Sequence, residues 1–355
     1  MPLIVNGPVP TRCAVEGNFR LVDSSSPVRE TCLNLAFINN MPDAALEDTE
    51  LQFFTLLDIA SGSIPVCVKL YSLPGVPRTE RGVNHLNRFY NSFGDIWQNE
   101  FDGVIITGTE PHQSNLRDEP YWGVLTEVFD WAERNTSAAI LSCLAAHASV
   151  SYSDGISRHR LPDKQFGVFE SGKMSDHALM DHTPACVRFP HSRWNEVREN
   201  ELTSAGYVVL AKSDDAGVDT FVKKKGKSLF VHFQGHPEYD ANTLFKEYRR
   251  DVKRFLNRER ETYPSMPQGY FDRSAARLLG EFQMSAMADR REDVMASFPG
   301  DAIVGGLRNG WHSTAACVYR NWLQYLGSRK AEESSFAAVA RIGSYAVKPR
   351  QRETA

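Results

Sequence analysis

Two short stretches hold the residue types from which a covalent catalyst is built. In the first, Ala138-Ala139-Ile140-Leu141-Ser142 leads into Cys143, then into Leu144, Ala145, Ala146, His147 and Ala148, small helix-tolerant residues without Gly or Pro. A cysteine at such a strand-to-helix turn stands at the carboxyl edge of a sheet, beside the first free N–H groups of a helix. Those groups and the helix dipole favour a thiolate and can hold an oxyanion. In the second stretch, Ser228-Leu229-Phe230-Val231-His232-Phe233 runs into Gln234-Gly235-His236-Pro237-Glu238. In an extended chain His236 and Glu238 point to one side, so the carboxylate can orient the imidazole and stabilise its charged form. Cys143, His236 and Glu238 then read as nucleophile, general base and orienting acid. Taken singly, Cys143 is a small core residue and His-Pro-Glu a strand exit. Their conjunction points to catalysis.

The surrounding pattern supplies the scaffold. Strands are predicted at 33–38, 64–71, near 101–107, at 138–142 and at 207–211, with a hairpin at 220–222 and 228–233. Helices are predicted from Pro42 or Asp43, near 121–134, after Cys143, and over 241–257 with Asp240 as N-cap. Strand alternating with helix argues for a three-layer parallel sheet with helices on both faces, and ligands bind beyond the carboxyl ends of its strands. The loop at Gly108 and Cys143 both belong to that edge. Residues 155–200, rich in His, Pro, Asp and Arg, read as loops laid over it, and the lysine run 223–227 as a solvated turn. Further helices are expected near 273–295 and 311–326. The organisation read from this is an arm over 1–32, a single α/β domain over 33–328 with a helical insertion at about 273–309, and a flexible tail over 329–355.

Composition narrows the function. The chain has 355 residues, net charge −4, 42% hydrophobic and 24% charged residues, which is ordinary for a globular protein and gives no overall footprint for nucleic acid. No apolar run approaches a membrane span, and the N-terminus lacks the pattern of a signal peptide. Six scattered cysteines and ten histidines show no metal-ligand spacing. The expectation is a cytoplasmic enzyme with reduced thiols, no metal, small-molecule substrates, and neither membrane nor nucleic acid as partner.

The order of these motifs resembles the class I glutamine amidotransferase-like superfamily, and within it the homoserine O-succinyltransferase (homoserine transsuccinylase) family. The matching pieces include Asn39-Asn40-Met41-Pro42, 101–108, Phe166-Gly167-Val168-Phe169-Glu170, Pro190-His191-Ser192-Arg193, Gly235-His236-Pro237-Glu238-Tyr239-Asp240-Ala241, Arg250-Asp251-Val252 and Asn321-Trp322-Leu323. The resemblance implies a flavodoxin-like sheet and a homodimer. It implies ping-pong acyl transfer from succinyl-CoA or acetyl-CoA to homoserine, through a thioester on Cys143, with no bound cofactor. Lys164, Ser192 and Arg250 match the family's positions for the amino-acid acceptor. The position that selects the acyl donor aligns with His112, with Glu110 as the alternative under a shifted alignment. This chain departs from the family pattern at Asp43-Ala44-Ala45, where a lysine pair is usual, and at Leu144, where an aromatic residue is usual. Serine or another hydroxy amino acid as acceptor, and a glutamine amidotransferase-like hydrolase, stay open as alternatives.

Overall fold

In the computed structural model the described residues are 3–5, 7–17 and 32–345, with side chains as far as 335. The elements are β1 (Leu3–Val5), α1 (Thr11–Glu16), β2 (Leu33–Ile38), α2 (Asp43–Ser61), β3 (Val66–Tyr71), α3 (Glu80–Phe89), β4 (Gly103–Ile106), α4 (Trp122–Asn135) and β5 (Ala138–Ser142). There follow α5 (Leu144–Asp154), β6 (His159–Lys173), β7 (Cys186–Glu196), α6 (Glu199–Ser204), β8 (Val208–Ser213), β9 (Gly217–Lys225), β10 (Ser228–Phe233), α7 (Thr243–Leu256), α8 (Arg273–Ala288), α9 (Gly300–Val304) and α10 (His312–Tyr345).

The described strands form one sheet in the order β1-β3-β2-β4-β5-β10-β9-β8-β6-β7. From β1 to β10 the pairing is parallel; from β10 to β7 it is antiparallel. Alternation along the central strands divides the core between the two faces. Leu35, Phe37, Ile105, Ile140, Val231 and Phe233 pack with α2, α7 and α10. Ala36, Ile38, Val104, Ile106, Ala139, Leu141 and Phe230 pack with α4 and α5. Burial on both faces explains why these strands read as near-continuous apolar runs. Each fully buried Phe or Leu contributes roughly 1.5–3 kcal/mol. The chain has the α/β, flavodoxin-like architecture, with the antiparallel strands extending the sheet on one side.

Several sequence expectations are corrected. Residues 155–200 are not loops, because β6 and β7 form a long antiparallel pair there. Pro190 disguised β7, but β7 is the last strand of the sheet, and an edge tolerates a residue without an N–H. The lysine run is not a free turn: Lys223 and Lys225 lie in β9, and Lys225 is buried beside Asp154. Asp240 does not cap α7 at its N-cap position, which Asn242 holds; Asp240 Oδ1 accepts from Asn242 N–H and from the Thr243 hydroxyl instead. Finally, α10 continues without a break past Ser328, because its Ser- and Ala-rich sequence offers no Pro to end it. At the other end, part of the predicted arm is structured as β1 and α1. Residues 18–31 and 346–355 of the predicted arm and tail lie outside the described residues.

Candidate active site

β5 and β10 are parallel neighbours with Ser142 opposite Phe233, so both chains leave the sheet at the same level and edge. The Cys143 N–H donates to the Phe233 carbonyl at 2.8 Å, and the Cys143 carbonyl accepts from His147 N–H at 3.2 Å. Between these anchors Cys143 takes φ 50° and ψ −108°, a conformation an L-residue adopts at a cost of about 1–3 kcal/mol. The bend ends β5 and starts α5, so Cys143 stands at the N-terminus of that helix. Gly108 makes room for it. A Cβ at Gly108 would lie 3.0 Å from the Leu144 nitrogen and 3.4 Å from the Ser142 carbonyl.

His236 and Glu238 are not in an extended strand. They lie in a turn closed by Tyr239 N–H donating to the His236 carbonyl at 3.2 Å. The turn still brings His236 Nδ1 to 2.8 Å from Glu238 Oε1. That contact commits Nδ1, and the charge of Cys143 acts on the same imidazole. The Ser142 hydroxyl donates to the same Glu238 oxygen at 3.3 Å. His236 N–H donates to the Pro190 carbonyl at 2.7 Å, and Tyr239 stacks on the imidazole with ring centres 4.2 Å apart. Burial alone would lower the His236 pKa. Glu238 and Cys143 outweigh it, and hold the imidazole well above its ordinary 6.5. The structure thus brings the three predicted catalytic residues to one sheet edge, with the imidazole favoured in its charged form.

Lys164, Ser192 and Arg250 come from β6, β7 and α7 and converge on two acids that sequence reasoning missed. Lys164 Nζ lies 3.2 Å from Glu247 Oε2 and 3.5 Å from Asp251 Oδ2. The Ser192 hydroxyl donates to Glu247, and Arg250 Nε lies 3.4 Å from Asp251 Oδ1. Burial would raise the Glu247 carboxyl, but Lys164, Ser192, Arg250 and Tyr239 overcome it and hold its pKa down. The Tyr239 hydroxyl donates to Glu247 Oε1 at 2.8 Å, so one ring joins this cluster to the His236 imidazole. Glu247 is four residues from Asp251 on one face of α7, a spacing visible in the sequence but indistinguishable there from a solvated helix face.

The donor-position candidates separate. Glu110 is exposed and close enough to Arg250 for its charge to act there. The His112 side chain is exposed too, while its N–H and that of Gln113 donate to Glu119 Oε1 at 2.6 and 2.7 Å. Asp43, where the lysine pair was absent, accepts from Thr79 N–H at 2.7 Å and pairs with Arg78 at 3.2 Å, so it holds the turn before α3.

A second buried network backs the turn. The Gln234 amide oxygen accepts from Val197 N–H and lies 2.9 Å from His147 Nε2, while its nitrogen donates to the Val197 and Val218 carbonyls. Burial pushes His147 down to about 3, so it is neutral and its Nε2–H can donate. His191 Nε2 lies 2.8 Å from Asp219 Oδ2, and Arg193 Nε donates to His191 Nδ1 at 3.2 Å.

The fold and site thus define an α/β protein with a strained cysteine at the sheet edge, beside a histidine and a glutamate in the turn that leaves the neighbouring strand. The sequence profile of the family described as Homoserine O-succinyltransferase matches residues 16–332. A homoserine O-succinyltransferase of Rhodopseudomonas palustris is 40% identical over 324 residues, 91% of this chain and 96% of the relative. One of Methylorubrum extorquens is 42% identical over 299 residues, 84% of this chain and 88% of the relative. The chain belongs to the homoserine O-succinyltransferase family, and it is an acyltransferase. A solved glutamine amidotransferase from Thermotoga maritima is 15% identical, with a TM-score of 0.42 over 84% of this chain and 98% of that one.

Proposed function

We propose that this enzyme transfers a succinyl group from succinyl-CoA to the hydroxyl of homoserine, by way of a thioester on Cys143. The observation that carries the reading is His236 bonded through Nδ1 to Glu238 in the turn after β10, at the sheet edge where β5 delivers Cys143. His236 takes the thiol proton, and the thiolate attacks the acyl carbonyl. The oxyanion forms beside the N–H groups of the first turn of α5, whose donors have no acceptor within the helix. The intermediate collapses, CoA leaves as a thiol with the proton from His236, and the acyl group stays on sulfur. One thioester has replaced another, so this step is close to isoenergetic. Homoserine then enters, His236 takes its hydroxyl proton, and the alkoxide attacks the acyl-enzyme. Cys143 leaves and recovers the proton.

The acceptor is read from the cluster on α7. Lys164 and Arg250 suit an α-carboxylate, and Glu247, kept ionised, suits an α-ammonium. Tyr239 fixes the distance between that cluster and the base. The test is a matrix of succinyl-CoA and acetyl-CoA against homoserine, serine and water, followed by CoA release and product mass. O-succinylhomoserine as the main product supports the reading. CoA release unaffected by either amino acid, or hydrolysis of glutamine in a parallel assay, contradicts it.

A further inference from the structure

The segment joining α5 to β6 carries an arginine that the chemistry above does not use. Arg158 is half-buried, and its Nη2 donates to the Ser114 carbonyl at 3.5 Å, which sets it against the loop following β4. Its electrostatic neighbours are Tyr121, Glu119, Arg160 and Cys143, and its charge also reaches His147 in the first turn of α5. Among the described residues, no carboxylate oxygen lies within 4.0 Å of its guanidinium. Glu119, the acid nearest in charge, has its Oε1 committed to the His112 and Gln113 N–H groups. Arg193, whose charge also acts at Cys143, differs in kind: its nitrogens are bound to His191, the Asn195 carbonyl and the Ala216 carbonyl. Arg158 therefore has donors without a carboxylate partner beside the loop that follows β4, and its charge acts at Cys143. A guanidinium withdrawn from water is ordinarily paired, and its fork fits a carboxylate.

We propose that Arg158 receives the free carboxylate of the succinyl group while that group is delivered to, and held on, Cys143. This carboxylate stands two methylenes from the thioester carbon, within the neighbourhood of the sulfur. The phosphates of CoA are anions too, but the pantetheine arm carries them away from the reacting carbon. Arg158 is thus a specificity residue for the donor, separate from the acceptor cluster on α7. The inference rests on succinyl-CoA being the donor.

Single-turnover acylation of Cys143, read by intact-protein mass spectrometry with succinyl-CoA and with acetyl-CoA, tests it in wild type, Arg158→Met and Arg158→Lys. The ratio of succinyl to acetyl transfer rates is expected to fall about 30-fold in Arg158→Met, and to recover in part in Arg158→Lys. An equal loss with both donors assigns the cation to the CoA portion or to folding, and overturns the proposal. So does an unchanged ratio in a wild-type enzyme that is succinylated. A wild-type enzyme that takes no succinyl group at all overturns the donor reading beneath it.

Discussion

At the scale of the residue, the site is a charge arrangement centred on His236. Its pKa is raised although the ring is buried, because Glu238 and Cys143 together exceed the cost of burial. Cys143→Ala removes one of those partners, so the His236 pKa is expected to drop relative to wild type; an NMR titration of the ring reads this directly. A proton bound more tightly in the folded state stabilises the fold fully below about 6.5, and this stabilisation is lost as pH rises through the folded value. Urea unfolding across that range should show a stability slope in wild type that flattens in Glu238→Gln. Tyr239→Phe keeps the stacked ring but removes the bond to Glu247; the KM for the amino acid should rise about tenfold with Cys143 acylation little affected. Cys143, His236 and Glu238 were legible as residue types at a sheet edge. Glu247, Asp219 and Gln234 were not, because their importance lies in partners from distant parts of the chain.

At the scale of the element, parallel register does most of the positioning. Ser142 opposite Phe233 sets Cys143 beside Gln234, and a one-residue slip would turn every side chain on β10 to the other face. Gly235 then passes through a gap that only glycine fits. A Cβ there would come 2.6 Å from Asp219 Oδ2 and 3.0 Å from His191 Nε2. Gly235→Ala is expected to destabilise the protein by about 2 kcal/mol in chemical denaturation and to weaken acylation by shifting His236. A lower acylation rate with no loss of stability would mean that the gap is wider than described. The strand periodicities were legible because both faces of the central sheet are apolar. The β6–β7 pair was hidden because an edge strand can carry Pro, His and Arg without penalty, and the turn at His236 was hidden because His-Pro-Glu fits both an extended chain and a turn.

At the scale of the whole molecule, α10 closes the face of the sheet opposite α4 and α5. Tyr319, Trp322, Leu323 and Leu326 are buried there with Phe53 of α2 and Phe233 of β10. Gly103 admits that packing at β4, where a Cβ would stand 2.8 Å from Leu326 Cδ1 and 2.9 Å from Trp322 Cζ2. Farther along, Lys330 donates to the Cys32 carbonyl at 2.7 Å and to Asp102 at 2.8 Å, and Asp102 in turn accepts from Asn34 N–H at 2.7 Å. Lys330→Met is expected to lower stability by about 1 kcal/mol, because this ion pair is partly exposed; calorimetric melting would register it. An unchanged melting temperature would show that the helix is held by its apolar face alone. The apolar face of α10 was legible from Trp311 to Leu326. Its continuation past Ser328 was not, since small and charged residues are compatible with helix and coil alike. Among the described residues, no helix is long and apolar enough to cross a membrane.

Whether Cys143 carries the acyl group is read by intact-protein mass spectrometry of the enzyme mixed with succinyl-CoA in the absence of an amino acid. The expected result is a succinyl adduct that maps to Cys143, disappears on adding homoserine, and is absent in Cys143→Ala. An adduct that persists in Cys143→Ala, or product formed by that variant at the wild-type rate, would contradict it.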